Sequence, residues 1–244
     1  MNNMIAIVII LLLMGLTMFT CETTSGIKMV QLPVTNDPTI TFRFWFKVGS
    51  QNDPVGKEGL AALTARMLTE GATDSNSYED ILKKLYPMAA SYNAQVDKEM
   101  TVIIGRAHKD NLEAYYKLFK EAILAPAFKQ EDFNRLKSQT LNYLERLLRY
   151  ANDEEFGKQT LNWFIFRGTP YGHPEQGLIE SVKSITLEDV KNFYKTYYTR
   201  DNLVIGLGGG YPKDLVTRIN RDLATLPSGK TVPPEKRYTS APPG

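Results

Sequence analysis

The sequence predicts an α+β domain, an antiparallel sheet flanked by helices, on two observations. Short runs rich in β-branched and aromatic residues come in pairs joined by turn residues, and helical patterns gather between those pairs instead of alternating with single strands. The composition, 43% hydrophobic and 23% charged over 244 residues, has the proportions of a globular protein with one large domain or two small ones.

The chain opens on MIAIVIILLLMGLTMF, residues 4–19, which carries no charge. The run is shorter than the ~20 residues a spanning helix needs and reads as the apolar core of a secretory signal over 1–21, with an uncleaved membrane anchor as the alternative. Cys21 is the only cysteine, so an internal disulfide and a cysteine-rich zinc site are both excluded. Its place directly after the apolar run resembles the lipidated cysteine of bacterial lipoproteins, although Met18-Phe19-Thr20 departs from the small residues usual there. The expectation is an exported chain, in a bacterial periplasm or anchored to the membrane facing it, with Cys21 as the candidate lipidation site.

A domain is expected over 22–226. IKMVQLPV (27–34) and TITFRFWFKV (39–48) read as strands joined by Thr-Asn-Asp-Pro; in the second, Ile40, Phe42, Phe44 and Phe46 alternate with Thr41, Arg43, Trp45 and Lys47. GLAALTARMLTEG (59–71) is helical, with Leu60, Leu63, Met67 and Leu68 on the buried stripe and Ala62, Ala65 and Arg66 together on the opposite side. Gly71 is placed to end it in a left-handed cap. Ser77 caps a helix to Tyr86, with Asp80 three residues on approximating a capping box. Residues 91–109 read as a hairpin, and Asn111–Leu124 and Glu131–Tyr150 as long helices separated by Ala125-Pro126-Ala127. A helix over Asp153–Phe166 precedes the loop RGTPYGHPEQG, Thr186 caps the helix LEDVKNFYKTYY, NLVIGLGG (202–209) is a strand, and a helix follows over Pro212–Leu226. The tail over 227–244 is proline-rich linker, toward an expected second domain beyond it.

Several chemistries are poorly served. A net charge of +2 without a dense Lys/Arg run leaves no footprint for nucleic acid, and a mean hydropathy of −0.28 excludes a polytopic membrane protein. The cluster Gly206-Leu207-Gly208-Gly209-Gly210 has Tyr211 where a dinucleotide fingerprint needs its last glycine, so it reads as a tight strand-to-helix turn. The only histidines, His108 and His173, read as unrelated residues, and no nucleophile elbow is present. Asp153, Glu154 and Glu155 sit at a helix start, where they complement the helix dipole.

The order of three segments, GLAALTARMLTEGA, then YNAQVDKEMTVIIGRAHKDNLEAYYKLFKEAILAPAF, then TPYGHPEQGLIESVKSITLEDVKNFYKTYYTRDNLVIGLGG, resembles the N-terminal domain of the pitrilysin/insulinase metallopeptidases, the group that includes the mitochondrial processing peptidase. The resemblance covers residues 27–226 and implies a domain usually repeated twice per polypeptide, two such halves closing as a clamshell around peptides. In active members the first helix carries His-x-x-Glu-His, two zinc ligands and the Glu that activates water. Laid on this chain, those positions are Ala62, Ala65 and Arg66. The family's third ligand, a Glu, falls at Asn142 or Tyr143, with Glu145 about one turn off.

Alanine has no ligand atom and arginine cannot be deprotonated to become one. The resemblance therefore implies a non-catalytic member with no metal and no cofactor of its own, zinc being expected in a homologous partner subunit. The chain would hold substrate peptide or regulate that partner, with a further attachment to the membrane through its N-terminus. Two other readings carry different consequences: a structural or peptide-binding protein that keeps the fold, taking an extended peptide along a sheet edge, and an enzyme whose site lies in a missing C-terminal domain or around His108 and His173. The bland reading of Arg66 is an ion pair with Glu70, four residues on.

Overall fold

The computed structural model describes residues 27–229. The signal-like run, Cys21 and most of the proline-rich tail lie outside the described residues. Five strands, β1 (Lys28–Pro33), β2 (Thr39–Phe46), β3 (Ser91–Val96), β4 (Thr101–His108) and β5 (Leu203–Gly209), form one sheet in the order β1-β5-β2-β4-β3. All neighbours are antiparallel except β1 and β5, which run parallel from Lys28 beside Val204 to Pro33 beside Gly209. The first two strands are therefore not a hairpin: β5, arriving from 170 residues later in the chain, lies between them. The tight turn after β5 passes against the β1–β2 connection, with Gly209 at φ 100° beside the Thr39 carbonyl.

Strand β2 has the alternation its sequence requires. Ile40, Phe42, Phe44 and Phe46 are fully buried, whereas Arg43, Trp45 and Lys47 face solvent on the sheet's open side. The helices are α1 (Leu60–Thr69), α2 (Tyr78–Leu85), α3 (Leu112–Leu124), α4 (Gln130–Asn142), a π-helical turn (Tyr143–Leu147) running into α5 (Leu148–Ala151), α6 (Asp153–Phe166), α7 (Ile179–Ser184), α8 (Leu187–Tyr197) and α9 (Lys213–Leu223), of which α1 and α3 pack on the sheet. Where α3 crosses the sheet, β4 has Gly105, whose missing Cβ leaves room for the Tyr115 hydroxyl and the Phe119 ring. Phe119 then meets Phe44 edge-on at 5.0 Å and Phe42 at 5.3 Å between ring centroids. Such pairs add about 0.5–1.5 kcal/mol each beyond the area they bury.

The expected caps on α2 and α8 are present: the Ser77 hydroxyl accepts from the Asp80 N–H at 3.1 Å, and Thr186 and Asp189 form a reciprocal capping box. At α1 the expectation is corrected. Gly71 does not take the left-handed conformation; its lack of a Cβ lets the chain turn tightly past the Met67 carbonyl. The left-handed glycine is Gly59, at the helix start, with φ 104°. The long pattern over Glu131–Tyr150 runs as one rod, but not as one regular α-helix, since the π turn interrupts it. The short α7, in the stretch before Thr186, has no side-chain cap and left no signal in the sequence.

Candidate functional site

Helix α1 is set in place from the preceding loop. Both oxygens of Asp53 accept backbone N–H groups at the helix start, Gly59 N and Ala61 N, each at 2.7 Å. Residue 53 as a whole is half-buried, but its carboxylate is tucked against the helix end and stripped of water. That burial pushes its pKa up to about 8, against the pull of the two N–H donors and of Lys98. Nothing local in the sequence marks this cap, which reaches forward six and eight residues.

Leu60, Leu63, Met67 and Leu68 enter the core as the pattern requires. The opposite side is not an open surface: Ala65 is fully buried, Ala62 is half-buried, and the face lies against α4. Arg66 fills the seam. Its Nε and Nη2 hold the two carboxylate oxygens of Glu70 at 2.8 and 2.7 Å, the ion pair the spacing suggested. The same guanidinium crosses to α4, where Nη2 donates to Gln139 Oε1 at 2.7 Å and Nη1 to Thr140 Oγ1 at 3.0 Å and to the Leu136 carbonyl at 3.3 Å. A second strap lies one turn away. Arg135 donates to the Glu70 carbonyl and to Asp132 at 2.9 Å, and Asp132 accepts the Ala72 N–H at 2.9 Å.

On α4, Leu136, Gln139 and Thr140 make the row that meets Arg66. Tyr143, three residues beyond Thr140, continues that row and is half-buried, whereas Asn142 is exposed. The π turn begins at this point. Glu145 is exposed and lies 3.6 Å from the Lys183 ammonium.

This face does not fit a zinc ion. A catalytic zinc asks for three protein donors; Ala62 and Ala65 offer none, Arg66 offers only N–H groups, and both oxygens of Glu70 are engaged by Arg66. Among the described residues no group of three or more His, Cys, Asp or Glu is arranged to hold a metal. The two histidines are not brought together. His108 ends β4 beside Asp110, while the His173 carbonyl is held by Lys98 at the β3–β4 turn, so the length of β4, roughly 25 Å, separates them.

The loop before α7 is stapled onto the start of α1. Gly59 and Gly177, both with positive φ, lie back to back; a Cβ on Gly177 would stand 2.0 Å from the Glu58 carbonyl, and one on Gly59 2.7 Å from that of Gln176. Around them the Ser181 hydroxyl donates to Glu58, and Lys57 reaches Asp189 at 2.9 Å and the Ser184 carbonyl at 2.6 Å. Lys98 pairs with Glu175 at 2.8 Å. Burial would raise the Glu58 pKa, but the Ser181 hydroxyl, backbone N–H groups and His173 outweigh it and hold it below the usual range. Beside this seam lies a cavity of about 620 Å³ lined by Gln51, Asn52, Asp53, Glu58, His173 and Tyr197 among others.

A family model, Insulinase (Peptidase family M16), matches residues 29–174, the stretch from β1 through α1 and α4 to the stapled loop. The chain belongs to the M16 insulinase family. A second model, the peptidase M16 inactive domain, matches residues 184–244 of the same M16 chain. The non-peptidase homolog YmxG of Helicobacter pylori is 30% identical over 189 residues, which are 76% of this chain and 42% of that protein. The probable mitochondrial-processing peptidase subunit beta of Arabidopsis thaliana is 23% identical over 85% of this chain and 39% of its own length. A crystal structure of a peptidase M16 inactive domain from Pseudomonas fluorescens superposes with a TM-score of 0.76 at 28% identity, covering 85% of this chain and 50% of that one. This M16 chain thus spans about two fifths of the length of the curated relatives it matches. The expected family and fold are those found.

Proposed function

We propose that this M16 chain is a non-catalytic subunit that assists a zinc-bearing homologue in cleaving peptides, by closing the chamber around substrate or by regulating the partner. One observation carries the reading: the Arg66 guanidinium occupies the seam between α1 and α4, bound on both sides, where a peptidase would need donors for an ion. A fixed cation there repels a divalent metal. Zinc then belongs to the partner. The likeness to a non-peptidase homologue and to a subunit of a processing peptidase supports the same assignment. Export through residues 1–21, and attachment through Cys21, complete the proposal and place the complex outside the cytoplasm.

The test is reconstitution. The purified chain should bind no stoichiometric zinc and cleave no unstructured peptide, and it should co-purify with a zinc-bearing M16 homologue whose kcat/KM falls at least tenfold when this chain is removed. A zinc equivalent or peptide cleavage by the chain alone would overturn the non-catalytic reading. Failure to change any M16 peptidase of the same cell would overturn the assisting role and leave the peptide-binding alternative. Mass measurement of the mature chain, with and without Cys21→Ser, tests cleavage and lipidation.

A further inference from the structure

The cavity of about 620 Å³ beside the seam of Gly59 and Gly177 is lined by two carboxylates, Asp53 and Glu58, and by no lysine or arginine. Neither carboxylate has an ion-pair partner among the described residues. The ammonium groups nearby are held by other acids: Lys57 by Asp189, and Lys98 by Glu175, with the His173 carbonyl as its second contact. Burial would raise the Glu58 pKa, yet the Ser181 hydroxyl and the Gly56 N–H keep it low, so the group is ionised at neutral pH. A negative charge thus stands on the cavity wall with no counter-ion beside it.

His173 adds an independent demand. Its side chain lines the same cavity, and the residue is only 9% exposed. Nδ1 lies 3.0 Å from the Pro174 carbonyl, so in the neutral ring Nδ1 carries the hydrogen. That leaves Nε2 as an acceptor for the cavity, and it has no partner among the described residues. A buried lone pair left unmet is costly. Together with an unpaired carboxylate, it calls for a ligand that brings both N–H donors and positive charge.

We propose that this cavity binds an alkylammonium group, the ammonium donating to His173 Nε2 beside Glu58 and Asp53 while the alkyl chain lies on Val55 and Pro170. The acceptors left over decide the chemistry. The two Asp53 oxygens already accept from Gly59 N and Ala61 N, and the two Glu58 oxygens from Gly56 N and the Ser181 hydroxyl. What remains is lone pairs on separate atoms, which suit the diverging donors of an ammonium. The parallel donors of a guanidinium ask for two free oxygens of one carboxylate. A divalent metal is served worse, since among the described residues no group of three or more His, Cys, Asp or Glu is arranged to hold one. Pro54, Val55 and Pro170 supply the apolar part of the wall. Burial pushes the Asp53 pKa up to about 8, so a cation arriving beside it favours the ionised form and expels a proton. The inference goes beyond the assisting role and does not rest on it: neither outcome for zinc or peptidase activity bears on this cavity.

The experiment is a calorimetric titration of the purified full chain at pH 7 with butylammonium chloride and with N-acetyl-lysine amide. The tighter of the two tells a free amine from a lysine side chain. At least one should bind saturably, with Kd below about 1 mM. Butan-1-ol lacks the charge and tetramethylammonium lacks the N–H donors, so each should bind at least tenfold more weakly than butylammonium. Titrations in two buffers of different ionisation enthalpy should show net proton release. Glu58→Gln should raise Kd at least tenfold. So should His173→Asn, which keeps a donor for the Pro174 carbonyl but loses Nε2, whereas His173→Gln, whose amide reaches the Nε2 position, should recover part of the loss. Circular dichroism checks that each variant is folded, and the proton release and the two control ligands need only the unsubstituted chain. Four results would each overturn the proposal: no saturable binding of either amine, binding without proton release, tetramethylammonium bound as tightly as butylammonium, or undiminished binding by folded Glu58→Gln.

Discussion

Arg66 Nη1 lies 3.0 Å from Thr140 Oγ1, joining α1 to α4 across 74 residues of sequence. The hydroxyl passes the contact on, donating to the Leu136 carbonyl at 3.0 Å, so one arginine is tied to Glu70 on its own helix and to three residues on the next. The Arg66 side chain is 28% exposed, which screens the ion pair but leaves the donors to Thr140 and Gln139 in place.

Removing this clamp should loosen the seam. Arg66→Ala is expected to cost about 1–2 kcal/mol, because Thr140 and Gln139 lose a charged donor in a partly dry site. For a chain of this size that lowers Tm by roughly 3–6 °C. Arg66→Lys should recover less than half of the loss, since an ammonium cannot hold both Glu70 oxygens and still span to α4. Thermal and urea melts of the two variants measure both values.

The glycine seam at the start of α1 makes a sharper steric prediction. Gly177→Ala puts a Cβ 2.0 Å from a backbone carbonyl at φ 89°, so it should destabilise by more than ~2 kcal/mol. Gly168→Ala, also at positive φ (77°) but with nothing within 4 Å, should lose only ~1–2 kcal/mol for its backbone conformation. Urea midpoints at constant m-value separate the two effects.

Glu58 ties the same seam to pH. Its folded pKa is held below the unfolded value, so the stability it contributes is complete above the unfolded pKa and is lost as pH falls through the folded one. Glu58→Gln should therefore flatten the acid limb of a Tm-against-pH curve below about pH 5. An unchanged acid limb would show that the Ser181 hydroxyl and the Gly56 N–H, which Glu58 Oε1 accepts at 3.1 Å, do not act through the ionised carboxylate.

The row on α4 predicts which position a third ligand would need. A chain carrying Ala62→His, Ala65→Glu and Arg66→His should take up zinc at least tenfold more tightly with Tyr143→Glu than with Asn142→Glu, because Tyr143 continues the row that faces α1 and Asn142 points to solvent. Zinc titration against a chelating dye measures the difference. Equal affinities would mean that the π turn leaves both positions able to reach.

Part of this was legible in the residues themselves. The alternation of Ile40, Phe42, Phe44 and Phe46 sets a strand with one buried face, and the spacing of Leu60, Leu63, Met67 and Leu68 sets a helix whose other side carries Ala62, Ala65 and Arg66. The caps at Ser77 and Thr186 and the Arg66–Glu70 pair are equally local, each spanning three or four residues.

What lies across that face of α1 was not legible. Gln139 and Thr140 meet Arg66 only because α4 packs there, and no spacing within either helix encodes the approach. The same holds for β5 entering between β1 and β2, for Gly177 seating on Gly59, and for Glu58 and His173 lining one cavity. The periods of 3.6 and 2.0 belong to the backbone of one segment, so sequence by itself determined which side of each element is apolar and that Ala62, Ala65 and Arg66 share one side of α1. Which segments meet depends on how all the apolar faces are buried at once, and only that tertiary packing turned Arg66 from an exposed charge on one helix into the clamp between two.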